Sequence, residues 1–373
     1  MIAVQLTPLP HVSPTMAARL QVCPLQVACD RDKLIQSMLV KGTSARLGTI
    51  CHRVLEAVGK HAIQPTADWD AAFEKLWGQE VARMEAEVEQ SARDCHLGSP
   101  ERWPYYAMRR AWLKHTAQDI WSRQGEGMVV KRAPERGIVV AFERRYTAFE
   151  GRMRGTADVV RQIDGELVIE DYKTGAILEA GGERLAPKVR ESYRQQLLLY
   201  AAMHHNTEGV WPKRARLIPL EGEPVDIAID PQEASALAMA ALTLLDTYNA
   251  ALAAGRDPRD LACPGQDTCK WCGYHGVCDA VWEAMSPEWE WSYHAVEGLV
   301  LAAQPTSRGL TNADVNVERS SVPSGTYRIQ TDTPAVGAAL VRAQRSRVRI
   351  TNLRFVGGRL VTTPTSGVWS AQE

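Results

Sequence analysis

The sequence lacks several features that would narrow its class at once. Its 373 residues carry a net charge of only −1 at pH 7, so no global field attracts the chain to nucleic acid or to a membrane. No apolar run near the roughly 18 residues of a transmembrane helix is evident. No secretory signal with a charged start and an apolar core is evident either. We therefore expect a cytoplasmic protein.

The sequence also lacks internal repeats, low-complexity segments and the Gly-x-x-x-x-Gly-Lys-Ser/Thr loop that cradles nucleotide phosphates. Its composition, 45% hydrophobic and 23% charged, is that of an ordinary globular protein. The length predicts two domains, or one large domain with a small appendage.

What the sequence does have is a cluster of cysteines. Four of the eight fall in one short segment, three lie near the start and one is alone: Cys263, Cys269, Cys272 and Cys278; Cys23, Cys29 and Cys51; Cys95. In a reducing compartment such a cluster indicates a metal or iron–sulfur site rather than disulfides. The Cys-x2-Cys-x5-Cys run supplies three thiolates, and a tetrahedral zinc site or a cubane cluster needs a fourth.

The hydrophobic pattern changes period along the chain. Helical periodicity dominates the first part, with Ile50, Val54 and Val58 on one face. A charged, helix-rich stretch follows, and strand-like alternation begins near residue 137. The predicted elements are a helical region over 69–124, strands over 137–146, 151–164 and 166–175, a helix over 190–205, strands over 214–222 and 224–230, and a helix over roughly 232–254.

The tail has a different texture. Short strands are predicted over 325–331, 346–363 and 365–370, with a Gly-Gly hairpin. Residues 295–373 contain nine arginines against five acidic residues, a net charge of about +4. We expect a small basic β domain of the oligonucleotide-binding barrel type. It would add sequence-independent affinity for DNA, or serve for packing or docking of a partner.

Charged residues interrupt an otherwise apolar hairpin. Asp171 and Lys173 are two apart and so share a face of one strand, while Asp158 lies 13 residues earlier on the preceding strand. Two neighbouring carboxylates form a hard-oxygen site suited to Mg²⁺ or Mn²⁺. A lysine beside them can orient water or stabilise charge at a phosphate. The plainer alternative is a surface hairpin with exposed salt bridges.

This hairpin resembles the active-site core of the PD-(D/E)xK nuclease superfamily, in its RecB-like branch. The branch has Gly-x-x-Asp, Asp-Tyr-Lys-Thr-Gly, Gly-x-x-x-His, Gln-x-x-x-Tyr and a glutamate on the strand before Gly-x-x-Asp. The matching residues are Gly155 and Asp158, Asp171 to Gly175, Gly48 and His52, Gln196 and Tyr200, and Glu143. Order and spacing agree over residues 19–280.

The resemblance implies a restriction-endonuclease-like α/β core that hydrolyses DNA phosphodiester bonds. Asp158, Asp171 and His52 would hold one or two Mg²⁺ or Mn²⁺ ions, with the backbone carbonyl of Tyr172. Lys173 would position or activate the attacking water. Gln196 and Tyr200 would contact the DNA backbone or support the lysine. Glu143 would complete the catalytic set. The alternative interpretation is that the Glu143 carboxylate simply faces solvent.

The resemblance also extends to the cysteines. A subset similar to the nuclease domains of bacterial helicase–nucleases and CRISPR-associated exonucleases carries a [4Fe-4S] cluster on a C-terminal cysteine trio and one earlier Cys-Pro cysteine. The corresponding residues are Cys23, Cys269, Cys272 and Cys278. Such a cluster would staple the start of the domain to its end. Zinc is the alternative metal, and Cys263, Cys29 and Cys51 compete as the fourth ligand.

We therefore expect a nuclease domain over residues 1–290, with a helical insertion over about 60–130 and the cysteine cluster over 263–278, followed by the small β domain. The expected activity is Mg²⁺- or Mn²⁺-dependent cleavage of single-stranded DNA or DNA ends in repair, recombination or defence. Since no nucleotide-binding loop is evident, unwinding would need a helicase or another subunit. The alternatives are a catalytically silent DNA-binding subunit and a zinc-stabilised scaffold.

Overall fold

A computed structural model describes residues 4–64, 67–91, 94–122, 137–179 and 188–371. The α-helices are α1 (Pro14–Val22), α2 (Pro24–Arg31), α3 (Lys33–Met38), α4 (Thr43–Gly59), α5 (Trp69–Glu89), α6 (Tyr106–Ser122), α7 (Glu191–Glu208), α8 (Pro231–Ala253), α9 (Gln266–Cys269), α10 (Asp279–Ala284) and α11 (Pro334–Arg342). Short 3₁₀ helices cover Cys95–Leu97, Pro100–Arg102, Pro258–Leu261 and His275–Val277.

The strands are β1 (Gly137–Ala148), β2 (Met153–Ile163), β3 (Glu166–Lys173), β4 (Leu178–Glu179), β5 (Lys188–Val189), β6 (Arg214–Pro219), β7 (Val225–Ala228), β8 (His294–Pro305), β9 (Thr311–Ser320), β10 (Gly325–Thr331), β11 (Arg347–Val356) and β12 (Arg359–Ser370).

Several helices begin where the sequence provides a cap. The side chains of Ser13, Asp68 and Asp230 precede α1, α5 and α8 and accept hydrogen bonds from backbone amides of the first turn. Proline occupies the first turn of α1, α2 and α8, where its missing N–H costs no intrahelical bond. Local sequence therefore sets where these helices start.

The central sheet is mixed and has the strand order β1-β2-β3-β6-β7. Strands β1, β2 and β3 form an antiparallel meander, whose second turn has positive φ angles at Asp164 and Gly165. After α7 the chain returns as β6, parallel to β3. This crossover places the N-terminal part of α7 beside the end of β3.

Two apolar cores cover the two sides of this sheet. Side chains of α1, α2, α7 and α8 form the first core, which includes Leu197 and Met203. Side chains of α4, α5 and α6 form the second, which includes Ile50 and Phe73. The mixed sheet with helices on both faces fits a PD-(D/E)XK nuclease core, and α5 and α6 occupy most of the predicted insertion. Its last residues, 123–130, lie outside the described residues.

The chain ends in a closed five-stranded barrel with the order β10-β12-β11-β8-β9. Strands β10 and β12 pair in parallel, the other neighbours pair antiparallel, and α11 connects β10 to β11. Its core is built from small and branched residues such as Val300, Val315, Ile329 and Ile350.

The sequence predicted β10, β11 and β12 but not β8, β9 or α11. Strand β9 contains Asn312, Asp314 and Asn316, which have low strand propensity. They are tolerated because their alternate neighbours Ala313, Val315 and Val317 fill the barrel core. Residues 365–370 form the end of β12, not a separate strand.

One helix qualifies the expectation that no apolar run is long enough to cross a membrane. Helix α8 is long and apolar enough to cross a membrane by length and composition, with a mean hydropathy of 1.3 in its most apolar window. Its face with Ala234, Ala238, Leu242 and Leu245 packs into the first core, but only 28% of that apolar window is buried.

Candidate active site

The two aspartates and the lysine of the hairpin meet where β2 and β3 lie side by side. The backbone N–H of Tyr172 donates a hydrogen bond to Asp158 Oδ2 over 2.7 Å. The Lys173 Nζ lies 2.5 Å from Asp171 Oδ2. Asp171 is 3% exposed, so this is a buried site and not a solvated surface hairpin.

The two carboxylates are electrostatically coupled. Burial raises the pKa of Asp158, and the negative charge of Asp171 raises it further. Burial also raises the pKa of Asp171, which the nearby Lys173 ammonium opposes. Asp171 Oδ2 is buried and receives no well-directed hydrogen bond from any described residue. A site of this kind gains from a cation that compensates both carboxylates.

Helix α7 holds the lysine from the other side. Lys173 Nζ donates a hydrogen bond to Gln196 Oε1 at 2.9 Å, and Gln196 Nε2 lies 3.3 Å from the Tyr200 hydroxyl. Gln196 and Tyr200 are one turn apart on the helix and so share a face. The lysine ammonium also lies 4.8 Å from the centre of the Tyr193 ring. The sequence motifs did not identify Tyr193 as a site residue, although it lies one turn before Gln196 on the same helix.

Helix α4 approaches the end of β3 at Gly48. A Cβ atom at Gly48 would lie 3.0 Å from Thr174 Oγ1, so only glycine allows this approach without a shift. His52 is one turn further along α4. Partial desolvation lowers the pKa of His52, the charge of Asp171 raises it and that of Lys173 lowers it. The histidine therefore lies within electrostatic reach of the carboxylate and lysine.

The other motif glycine, Gly155, makes room for Tyr200. A Cβ atom there would lie 3.0 Å from Tyr200 Cε1, 3.1 Å from Pro14 Cδ and 3.4 Å from Met203 Cε. The strand β2 and the helices α1 and α7 thus meet at a residue without a side chain. This packing sets how far Tyr200 and Gln196 extend toward the aspartates.

Glu143 lies on β1 between two residues that pair with the β2 residues flanking Asp158. Phe142 pairs with Val159 and Arg144 pairs with Ala157. Glu143 has a left-handed backbone, with φ 48°. Its side chain is half-buried, and burial is the main cause that raises its pKa, followed by the charge of Glu56. Glu143 also raises the pKa of Asp158, so it belongs to the same electrostatic cluster.

The second candidate site is a pocket beside α2 and α9. Six cysteines line it: Cys23, Cys29, Cys263, Cys269, Cys272 and Cys278. The remaining two lie elsewhere, since Cys51 packs in the second core and Cys95 is exposed. The expectation that Cys51 competes as a ligand was therefore wrong.

The cysteine pocket joins residues near the start of the chain to residues that precede the barrel. The backbone N–H of Cys263 donates to Cys23 Sγ at 3.4 Å, across 240 residues of sequence. Burial raises the pKa of the Cys272 thiol to about 12 and that of the Cys278 thiol to about 11. A metal must displace these protons to bind. His275 Nε2 lies 2.8 Å from the Cys269 carbonyl oxygen and stacks its ring on Trp291.

In the part of the chain that the structure describes, no three His, Cys, Asp or Glu side chains form a ready metal-ligating group. The chemistry of the donors is nevertheless appropriate at both sites. Paired buried carboxylates suit a hard divalent cation, and gathered thiols suit zinc or an iron–sulfur cluster.

A mixed sheet with a carboxylate pair and a lysine on adjacent strands defines a class of metal-dependent nucleases. The family model of the PD-(D/E)XK nuclease superfamily matches residues 11–279, and the chain belongs to this superfamily. Its members are typically metal-dependent nucleases that use divalent cations such as Mg²⁺ or Mn²⁺. The match ends before the barrel begins. No curated protein is significantly similar to the chain.

Proposed function

We propose that this protein is a Mg²⁺- or Mn²⁺-dependent deoxyribonuclease of the RecB-like branch that acts on single-stranded DNA or DNA ends. The observation that carries the proposal is the buried contact of Asp171 with Lys173, next to Asp158, in a chain of the PD-(D/E)XK superfamily. Repair, recombination and defence are the processes in which such an activity is used, with a helicase as the expected partner.

Each residue has a distinct task in the proposed reaction. Asp158, Asp171 and His52 would hold the divalent cation, with the Tyr172 carbonyl oxygen as a further ligand, and Glu143 would add negative charge beside them. When bound, the cation stabilises the charge that develops on the phosphate. Lys173 would orient the attacking water, because its ammonium is already directed by Asp171 and Gln196.

Gln196 and Tyr200 would act through the lysine. The chain of contacts from Tyr200 to Gln196 to Lys173 fixes the ammonium within hydrogen-bonding distance of Asp171. Tyr193 would restrict the same ammonium from the side of its ring. These three residues therefore have a positioning role.

The test of the activity uses labelled single-stranded and double-stranded DNA, with Mg²⁺ or Mn²⁺ against EDTA. We expect cleavage with either metal and none in EDTA. Asp171→Ala and Lys173→Ala should abolish cleavage while the circular dichroism spectrum stays that of the wild type. Glu170→Gln makes a poor control, because Glu170 is ion-paired with Arg161 in the interior, and the exposed Glu166→Gln is the matched one. Wild-type protein that binds DNA but cuts neither form with either metal would instead indicate a silent binding subunit.

We also propose that the cysteine pocket holds a [4Fe-4S] cluster, with zinc as the alternative metal, on Cys23, Cys269, Cys272 and Cys278. The proposal is supported by the convergence of these thiols in one pocket and by the N–H that Cys263 directs at Cys23 Sγ. Backbone N–H bonds to sulfur are typical of iron–sulfur ligands. The cluster would close a loop of 246 residues between Cys23 and Cys269.

Metal content decides this second proposal. Protein purified without oxygen should be brown and contain iron and sulfide, and Cys23→Ser and Cys272→Ser should lose both. Cys95→Ser is the matched control, since Cys95 lies outside the pocket. Colourless protein with bound zinc would show that the pocket holds zinc instead of an iron–sulfur cluster. Loss of metal on Cys29→Ser or Cys263→Ser, but not on Cys23→Ser, would reassign the fourth ligand.

The barrel is proposed to be of the oligonucleotide-binding type. Support comes from its five strands, their closed order and the helix between the third and fourth strands. Its net positive charge is less available than the sequence suggests. Four of the nine arginines form ion pairs with acidic residues: Arg319, Arg328, Arg347 and Arg349.

A further inference from the structure

Two small groups of aromatic side chains lie near the junction of the cysteine segment and the barrel, and the neighbouring residues Tyr293 and His294 connect them along the chain. Trp271 is 70% exposed, Tyr293 39% and Phe355 49%. The Trp271 and Tyr293 ring centres are 6.2 Å apart. Phe355 contacts His294 and Tyr327 edge to face, at 6.4 Å and 6.2 Å. We call these five residues the aromatic ledge: Trp271, Tyr293, His294, Tyr327 and Phe355.

Trp271, Tyr293 and Phe355 belong to none of the apolar cores of the described residues, whereas the half-buried Tyr327 packs against the barrel core. Phe355 belongs to the hairpin of residues 354–359, which comprises the end of β11, the turn and the start of β12, and every residue of that hairpin is exposed. Gly357 and Gly358 form its turn with φ angles of 56° and 78°. Val356 beside them is 51% exposed. Large apolar side chains on a projecting hairpin lose the benefit of burial, which is a feature of binding surfaces.

Cationic side chains accompany the ledge. Arg354 and Arg359 flank the hairpin, which has no acidic residue, and neither forms an ion pair with a described residue. At the other end of the ledge, the Lys270 ammonium lies 5.9 Å from the Trp271 ring centre. Of the other exposed barrel arginines, Arg319, Arg328 and Arg347 are paired with carboxylates. Three more have no ion pair with a described residue: Arg308, Arg342 and Arg345.

We propose that the aromatic ledge binds single-stranded DNA by stacking bases on its exposed rings, with Arg354 and Arg359 contacting phosphates. Exposed rings next to arginines that no described residue neutralises match a polyanion whose bases are free to stack, and such stacking tolerates any sequence. In duplex DNA the bases are stacked on each other and present no free face. The proposal rests on the proposed function only for the choice of DNA as the ligand.

Binding is measured with the full chain in EDTA, by fluorescence anisotropy of a labelled oligothymidylate. Phe355→Ala and Trp271→Ala should each weaken the Kd by about tenfold or more, the effect of removing one stacked base. Leu301→Ala is the matched control, because Leu301 is a 46% exposed apolar residue of β8 in the same barrel. It should change the Kd by less than about twofold.

Two further variants separate stacking from simple apolar contact and from misfolding. Phe355→Trp should bind as tightly as the wild type, whereas Phe355→Leu should be as weak as Phe355→Ala, because leucine keeps the apolar bulk without the aromatic face. Arg354→Gln should lower the salt dependence of log Kd by about one unit of slope. Arg342→Gln should not, since Arg342 lies with Val348 and Ser370 at the opposite end of the β11–β12 pair.

The outcomes are clear in each direction. If Phe355→Ala or Phe355→Leu binds the oligonucleotide with wild-type affinity, the ledge does not bind DNA by stacking. The same conclusion follows if Leu301→Ala loses as much affinity as Phe355→Ala. An equal loss of duplex binding would show general electrostatic attraction, and oligouridylate bound as tightly as oligothymidylate would overturn the assignment to DNA. If the protein never cleaves DNA but Phe355→Ala binds weakly, the proposed activity fails and the ledge stands. If it cleaves and Phe355→Ala binds normally, only the ledge fails.

Discussion

At the scale of single residues, Asp158 and Asp171 combine burial with like charge. Both effects favour the protonated carboxyl, while the Tyr172 N–H and the Lys173 ammonium favour the carboxylate. Burial prevails in the absence of a cation. The stability of the protein should therefore respond to pH and to divalent metal in a way that ordinary surface carboxylates do not.

The first prediction concerns this pH dependence. The folded-state pKa of Asp158 is raised above its unfolded value, so the folded protein binds more protons between the two values. In EDTA the free energy of unfolding should therefore fall as the pH rises from about 4 toward neutrality, by up to about 1.4 kcal/mol per pH unit for one proton.

Urea unfolding at a series of pH values, on wild type and Asp158→Asn, measures this contribution as the difference between the two slopes. Mg²⁺ should flatten the wild-type curve, because a bound cation favours the carboxylate. Parallel curves for the two proteins in EDTA would contradict the assignment of a raised pKa to Asp158.

At the scale of elements, two glycines decide how helices meet the sheet. Gly48 lets α4 approach Thr174 at the end of β3, and Gly155 lets α1 and α7 approach β2. The motif glycines are thus packing residues that bring His52 and Tyr200 to the aspartates.

The second prediction follows from Gly155. Gly155→Ala places a methyl group within 3.0–3.4 Å of Tyr200, Pro14 and Met203, and overpacking of this kind costs about 1–3 kcal/mol. It should also lower the cleavage rate by displacing Tyr200. Gly78→Ala is the matched control, because nothing lies within 4 Å of a Cβ there and alanine favours a helix interior by about 0.5–1 kcal/mol. Chemical denaturation and single-turnover cleavage measure the two effects, and a Gly155→Ala protein as stable as the wild type would refute the packing argument.

At the scale of the whole molecule, the barrel is attached to the cysteine segment through a few close contacts. The Trp369 indole of β12 packs flat against the backbone at Gly276. Arg349 of β11 is 7% exposed and forms ion pairs with Asp279 and Glu297 at 2.8 Å and 2.7 Å. The position of the ledge relative to the nuclease core depends on this attachment.

The third prediction tests the attachment. An added Cβ at Gly276 would overlap the Trp369 ring, whereas nothing lies within 4 Å of a Cβ at Gly273. Gly276→Ala should therefore separate the barrel from the nuclease domain. The segment between them should become more sensitive to protease, and the tryptophan emission maximum should shift to longer wavelength. Gly273→Ala should behave as the wild type. Should both variants resist protease equally, Gly276 does not fix the interface.

The candidate site could be predicted from the sequence to a large extent because its determinants are local. Asp171 and Lys173 share a face by strand geometry, Gln196 and Tyr200 share one by helix geometry, and the Asp164-Gly165 turn sets the pairing of β2 with β3. Caps at Ser13, Asp68 and Asp230 likewise fix helix starts from neighbouring residues.

Tertiary structure decided what depends on contacts distant in sequence. Tyr193 reaches Lys173 only because α7 crosses beside β3, and Cys51 leaves the cysteine pocket only because α4 faces the other core. Strand β9 forms despite weak propensity because barrel closure buries every second residue. In the aromatic ledge, barrel closure brings residues 294, 327 and 355 together from strands that lie far apart along the chain. Residues 271 and 293 meet beside them, and no local pattern connects these positions.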